Sequence, residues 1–240
     1  MLRISKTPET LLLALADFLV EKARTSIAHS GKFNFVLSGG SSPKKLYELL
    51  ASEAFRNKIE WAHVYFFFGD ERYVPANHPD SNFLMAKKTL LDPLNIADDH
   101  VFAIDTTKSP AESAQDYERK IRLHFKGPCK FDFILLGLGD NSHTVSLFPH
   151  TEVLHEKNKW IKETFVEEVK MYRITFTAPL INAAHTVAFL VYGSAKAEAV
   201  HRVLELRPEN IEEYPAQLVH PDKGELYWFL DEEAATKIKH

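Results

Sequence analysis

Phe131-Asp132-Phe133-Ile134-Leu135-Leu136-Gly137-Leu138-Gly139-Asp140 is the stretch that decides the fold class. A short run, apolar except at Asp132, gives way to two glycines and a carboxylate. A run that short and that apolar suits a strand covered on both faces, as in a parallel sheet. The same unit recurs along the chain. Phe33-Asn34-Phe35-Val36-Leu37 ends in Ser38-Gly39-Gly40-Ser41-Ser42-Pro43. Val64-Tyr65-Phe66-Phe67-Phe68 ends in Gly69-Asp70-Glu71-Arg72, and Val187-Ala188-Phe189-Leu190-Val191 ends in Tyr192-Gly193-Ser194-Ala195-Lys196. Helical patterns lie between these runs. Ser109-Pro110 opens one, with Ala114, Tyr117, Ile121 and Phe125 at spacings of three and four. Another starts near Ser194 and carries Ala197, Val200 and Leu204. Strands alternating with helices predict an α/β fold with a mostly parallel sheet. Tyr172 to Thr177 and Leu226 to Leu230 read as two further strands.

The bulk numbers agree with that class. The chain has 240 residues, 45% hydrophobic and 12% aromatic, enough to build one core over 1–240 as a single domain. Net charge is −4 and no basic run stands out, which speaks against nucleic acid as a partner. A small anion is still open, since a few local cations suffice for one phosphate. Cys129 is the only cysteine, so neither an internal disulfide nor a CxxC pair is available. It reads as a small buried side chain.

Two apolar stretches need a decision about membranes. Leu11 to Ala16 follows Thr7-Pro8, which reads as an N-cap and first helical position rather than the start of a signal segment. Ile174 to Ala195 holds no Asp, Glu, Lys or Arg, but Pro179, Asn182 and His185 sit near its middle. Two buried strands with a turn between them are the expectation, not a membrane helix. The expected setting is cytoplasmic, with no membrane partner, as a monomer or homodimer.

In an open α/β sheet, ligands bind beyond the carboxyl ends of the strands. The four polar clusters stand there, so the chemistry is sought among them. In Ser38 to Lys44, Gly39 and Gly40 let backbone N–H groups approach an oxyanion, and Ser41 lies at the entry to the next helix. Ser42 is expected to cap that helix, with Pro43 at its first position. A tight turn with no ligand would read the same way. The loop lacks GxxxxGK[ST], and Gly137-Leu138-Gly139 lacks the third glycine of a dinucleotide fingerprint, so no nucleotide cofactor is expected. Asp70, Glu71 and Arg72 offer two carboxylates and a guanidinium suited to a bidentate phosphate contact, or to a plain surface ion network. Asp140-Asn141-Ser142-His143-Thr144 places an imidazole just past a buried strand, where a neutral ring can take a proton from water. His150 and His155 follow without metal-ligand spacing, so no metal is expected. Arg173 and Lys196 are two more cations at the same edge.

These residues resemble a known family, the 6-phosphogluconolactonases. The matching pieces run nearly end to end: SGGSSP at 38–43, FFFGDERYVPANHPDSN at 66–82, FDFILLGLGDNSHTVSLFP at 131–149, RITFTAPLINAA at 173–184, YGSAKAEAV at 192–200 and YPAQLVHPDKGELYWFLDEEAA at 214–235. The resemblance implies a Rossmann-like fold of the type shared with glucosamine-6-phosphate deaminase and ribose-5-phosphate isomerase. It implies hydrolysis of a phosphorylated sugar lactone with neither metal nor organic cofactor. It places the catalytic histidine at His143, phosphate-binding cations at Arg72, Arg173 and Lys196, and the glycine-serine loop at Gly39, Gly40 and Ser41. Asp70, Asn82 and His78 are candidates for the sugar hydroxyls. Backbone N–H groups near Gly39 to Ser41, or at Gly139, are candidate oxyanion donors.

One position departs from the family pattern. Asp-Gly-His is usual, and this chain reads Asn141-Ser142-His143. Asn141 can hydrogen-bond to the imidazole but brings no charge, so the His143 pKa is expected to be raised less than with Asp. Asp140 next door is a candidate to compensate. Two rival readings remain. A deaminase of the glucosamine-6-phosphate type would need a further carboxylate after the histidine, and none occurs before Glu152. A non-catalytic sugar-phosphate-binding protein would keep the cations without turnover.

Overall fold

The computed structural model describes residues 1–239. In chain order the elements are β1 (Leu2–Ser5), α1 (Pro8–Ser30), β2 (Phe33–Leu37), α2 (Ser41–Leu50), β3 (Val64–Phe68), β4 (Asp70–Arg72), α3 (Asn82–Ala86) and β5 (Val101–Phe102). There follow α4 (Pro110–Phe125), β6 (Phe133–Leu136), β7 (Ile161–Val166), β8 (Met171–Phe176), α5 (Ala178–Asn182), β9 (Thr186–Val191), α6 (Ala197–Glu205) and β10 (Glu225–Asp231).

Seven strands form one sheet in the order β1-β10-β9-β6-β2-β3-β5, and every pairing in it is parallel. All five residues of β2, all four of β6 and all six of β9 are buried, as their unbroken apolar runs require. The α/β expectation is met. From β2 the chain steps to β3 and β5 on one side, and then to β6 and β9 on the other. The order reverses between β2 and β6, which opens a crevice beyond their carboxyl ends. A continuous apolar core runs from Leu11 on α1 to Ile238 after β10. Among the described residues, no helix is long and apolar enough to cross a membrane.

The helix starts follow from their caps. Thr7 caps α1 in a capping box with Thr10, and Ser109 caps α4 in one with Glu112. Two buried tyrosines fix the strand ends that lead into the crevice. Tyr47 of α2 holds both backbone groups of Ser38, its hydroxyl accepting from the N–H at 2.8 Å and donating to the carbonyl at 2.9 Å. Tyr117 of α4 does the same for Phe68, at 2.8 and 3.2 Å.

Three details differ from the expectations. Helix α2 starts at Ser41 with Gly40 as N-cap at φ 103, so Ser42 does not cap it and Pro43 is the third helical residue. A cap in the left-handed region favours glycine over serine. Between Ile174 and Ala195 the chain forms the end of β8, the short helix α5 and then β9, rather than two strands and a turn. Pro179 at the start of α5 suits a first helical turn. Finally, Asp70 to Arg72 is more than a polar cluster at a strand end. It is β4, which pairs antiparallel with β8 in a second sheet of order β4-β8-β7. The bend at Gly69 carries the chain directly from β3 into it.

Candidate active site

The crevice holds a cavity of about 370 Å³. Gly39, Gly40, Ser41, Asp70, Arg72, His143, Arg173 and Lys196 all line it. Asn141 does not. It lines the neighbouring groove, of about 1050 Å³, and reaches the site through His143. Asn82 lines the cavity, and His78 is at the surface beside Asp80.

The loop after β6 is shaped around the imidazole. Gly139 N–H donates to the His143 carbonyl at 2.8 Å, and Ser142 N–H donates to the Gly139 carbonyl at 2.9 Å. A Cβ on Gly139 would stand 2.0 Å from His143 Nδ1, so only glycine leaves room for the ring. Because that N–H is already engaged by His143, Gly139 is not an oxyanion donor. Ser142 has φ 63 and Val145 has φ 45. A β-branched residue there is strained, and such strain concentrates at functional sites. The His143 ring stacks on Phe148 with centroids 3.9 Å apart and planes at 15°.

Hydrogen bonds then orient the ring. His143 Nδ1–H donates to Asn141 Oδ1 at 2.6 Å, and the His143 backbone N–H reaches the same oxygen at 3.3 Å. Asn141 Nδ2 donates in turn to Glu168 Oε2 at 2.9 Å. His143 Nε2 makes no hydrogen bond among the described residues and is left for the cavity. Burial pushes the imidazole pKa down to about 4; Asp70 opposes this, and Arg173 and Lys196 reinforce it. Asp140 makes no hydrogen bond to the ring, since its carboxylate pairs with Lys196 Nζ at 2.6 Å, but its charge also raises the imidazole pKa, as the last of the causes.

The cations come from three elements. Arg72 on β4 and Arg173 on β8 are direct cross-strand partners. Two like charges placed opposite each other repel unless an anion lies between them. Arg72 Nη1 donates to the Asp80 carbonyl at 2.6 Å, while Arg173 Nε is buried without a partner. Burial holds the Arg173 pKa below its ordinary value, with Asp70 opposing. Lys196 arrives on the turn after β9 and lines the same cavity.

The carboxylates of this wall have structural work. Glu71 is buried and accepts from the backbone N–H groups of Arg72, Asn82 and Phe83 at 2.7–2.8 Å, and from Ser81 Oγ at 3.1 Å. It therefore anchors the start of α3 beside β4, although burial raises its pKa. Asp70 accepts from Ser146 Oγ at 2.6 Å and Asn82 Nδ2 at 3.1 Å. Asn82 is packed so closely on Gly39 that a Cβ there would meet Oδ1 at 2.0 Å. Glu168, Phe148 and Ser146 were not singled out from sequence. Glu168 and Ser146 are polar residues in ordinary local patterns, and only tertiary contacts give them a role.

Comparisons with known proteins place the whole chain in one family. The profile of the family described as glucosamine-6-phosphate isomerases/6-phosphogluconolactonase matches residues 6–228. A 6-phosphogluconolactonase of a Nostoc species is 41% identical over 236 residues, covering 96% of this chain and 95% of that protein. A 6-phosphogluconolactonase of Bos taurus is 37% identical over 99% of this chain and 93% of its own length. Among solved structures, 6-phosphogluconolactonase from Trypanosoma cruzi superposes with a TM-score of 0.89 at 29% identity, over 100% of this chain and 97% of that one. The chain belongs to the glucosamine-6-phosphate isomerase/6-phosphogluconolactonase family.

Proposed function

We propose that this chain is a 6-phosphogluconolactonase, hydrolysing 6-phospho-D-glucono-1,5-lactone to 6-phosphogluconate in the pentose phosphate pathway. The observation that carries the reading is the imidazole of His143. Its Nδ1 is committed to Asn141 at 2.6 Å, and its Nε2 is free beside a cavity that also holds Arg72, Arg173 and Lys196. Residues 1–240 act as one unit in this reading, since a single apolar core joins both ends of the chain.

The phosphate binds between the two arginines and Lys196, relieving the repulsion of the arginine pair. That anchor orients the lactone carbonyl, turning an encounter into a positioned attack. His143 Nε2 takes a proton from water as the water oxygen bonds to C1. The carbonyl oxygen becomes an oxyanion. The N–H groups of Ser41 and Ser42, in the first turn of α2, lack intrahelical partners, and both residues line the cavity, so they are the donors assigned to this oxyanion. The intermediate collapses, the C1–ring oxygen bond breaks, and the imidazolium returns its proton to the departing oxygen. Every step is carried by groups of this chain.

A pKa near 4 keeps the free base unprotonated at neutral pH, but makes it weak. A bound phosphate offsets Arg173 and Lys196, two of the groups that depress it. The His143 pKa then rises in the complex, toward the range where a general base is effective.

The test follows acid release from freshly made lactone against the spontaneous rate, with His143→Ala as control. Acceleration by the native chain that collapses in the variant supports the reading. No acceleration above background overturns it, and ammonia release from glucosamine 6-phosphate would replace it with the deaminase.

A further inference from the structure

We infer that Glu168 is a positioning residue for His143, setting the imidazole tautomer through the side-chain amide of Asn141. The inference rests on the lactonase reading only for its catalytic consequence.

An amide can face a neighbour in two ways. Asn141 carries an acceptor and a donor on one flat group, and a half-turn about its last bond exchanges them. With Oδ1 toward the ring, His143 must present Nδ1–H, and Nε2 keeps its lone pair for the cavity. With Nδ2 toward the ring, Nδ1 accepts and the proton sits on Nε2, where it blocks the base. An aspartate at this position needs no such control, because an ionised carboxylate only accepts. The amide does need it, and the opposite end of the amide supplies the means. Glu168 Oε2 lies 2.9 Å from Asn141 Nδ2. A carboxylate there accepts and cannot donate, so it selects the orientation that turns Oδ1 to His143.

The contact joins two distant parts of the chain. Glu168 stands in the short helical turn Glu167–Val169 at the tip of the β7–β8 hairpin, and Val169 beside it lines the catalytic cavity. Lys170, at φ 48, turns the hairpin back toward β8. The hairpin thus brings a carboxylate to the rim that the catalytic loop does not itself provide. Asp140 is engaged by Lys196. The groups acting on the imidazole through charge are Asp70 from β4, Arg173 from β8, Lys196 from the turn before α6 and, most weakly, Asp140. Each acts on its charge, and none holds a hydrogen bond to Nδ1.

The expected size is modest. Losing a group that fixes an imidazole's tautomer or orientation lowers activity by about 10-fold to about 10⁴-fold. The backbone N–H of His143, 3.3 Å from Asn141 Oδ1, retains part of the control. Glu168 is also exposed, so water competes for the amide. The low end, about tenfold, is expected.

The test is a ¹⁵N NMR measurement of the His143 ring at neutral pH, in the full chain, assigned by comparison with His143→Ala. Kinetics on the lactone run alongside. The native chain is expected to show the Nδ1–H tautomer. Glu168→Ala should shift population to Nε2–H and lower kcat/KM about tenfold, without loss of backbone dispersion. Asn141→Asp combined with Glu168→Ala should restore both the tautomer and most of the rate, because the carboxylate now accepts unaided. A native tautomer in Glu168→Ala overturns the inference, as does an equal loss when Glu168→Ala is added to Asn141→Asp. A native chain with no lactonase activity would overturn the proposed function alone, since the tautomer measurement needs no substrate.

Discussion

Two histidines in this molecule are built the same way and stand in different surroundings. His143 bonds to Asn141, whose amide bonds to Glu168. His124, at the end of α4, has Nε2 at 2.7 Å from Asn34 Oδ1, and Asn34 Nδ2 donates to Asp132 at 2.9 Å. Each is an imidazole, an amide and a carboxylate in series. Each imidazole is pushed down to about pKa 4, with burial as the largest cause. The difference lies in position. The His143 chain stands beyond the carboxyl ends of β2 and β6, in an open crevice with three cations. The His124 chain stands at the amino ends of the same two strands, where Asp132 also accepts from Ser26 Oγ and from the Asn34 N–H. There the ring sits among Tyr65, Phe67, Phe102 and Phe125, with centroids 4.9–5.2 Å away. A depressed histidine pKa therefore marks burial in both places, and only the cavity and its cations distinguish a base from a core polar group.

The comparison breaks if the two histidines respond alike. His143→Ala should lower lactone hydrolysis by about 10² to 10⁴-fold with little change in melting, measured by acid release and thermal unfolding. Gly139→Ala sharpens the point while keeping the imidazole that His143→Ala removes. The added methyl displaces the ring, and an ångström of misplacement costs about 10²-fold in rate. Arg173→Ala should lower kcat/KM for the phosphorylated lactone by about 10- to 100-fold, since a charged hydrogen bond contributes about 1.5–3 kcal/mol. It should leave an unphosphorylated lactone nearly unaffected. His124→Ala should do the reverse of His143→Ala. Activity per folded molecule stays, while stability falls by about 1–3 kcal/mol, because Asn34 keeps a buried acceptor without its partner.

The smallest effects are in pH. Both rings carry folded-state pKa values below the ordinary histidine value, so the unfolded chain binds more protons between about 6.5 and about 4. Their contribution to stability is present above about 6.5 and is lost as pH falls through about 4. His124→Ala should flatten that loss in acid unfolding curves. Only His143 should appear in the rate. The acid limb of kcat/KM, which reports the free protein, should lie near 4, and that of kcat should lie higher, because bound phosphate offsets Arg173 and Lys196.

Much of the site could be read in advance, and the reason is topological. Gly39, Asp70, His143 and Lys196 each follow an apolar run, and parallel strands send all their carboxyl ends to one edge. Arg173 reads as one more cation on that same edge, but its route there is different. It enters on β8 of a separate antiparallel sheet, paired with Arg72. No local pattern carries that pairing, because β4 is only three residues long and reads as a polar cluster at the end of β3.

The sequence by itself determined the repeated strand-helix unit, the capped starts of α1 and α4, and the candidate side chains of the site. Each of these is a local property, set by a few adjacent residues and their backbone preferences. Only the tertiary structure decided which histidine faces open space, which carboxylate backs Asn141, and why Gly139 must be glycine. Those depend on residues far apart in the chain: Glu168 with Asn141, Asp70 with Ser146, Asn34 with His124. Their meeting is settled by packing of the whole core, so no window of sequence contains it.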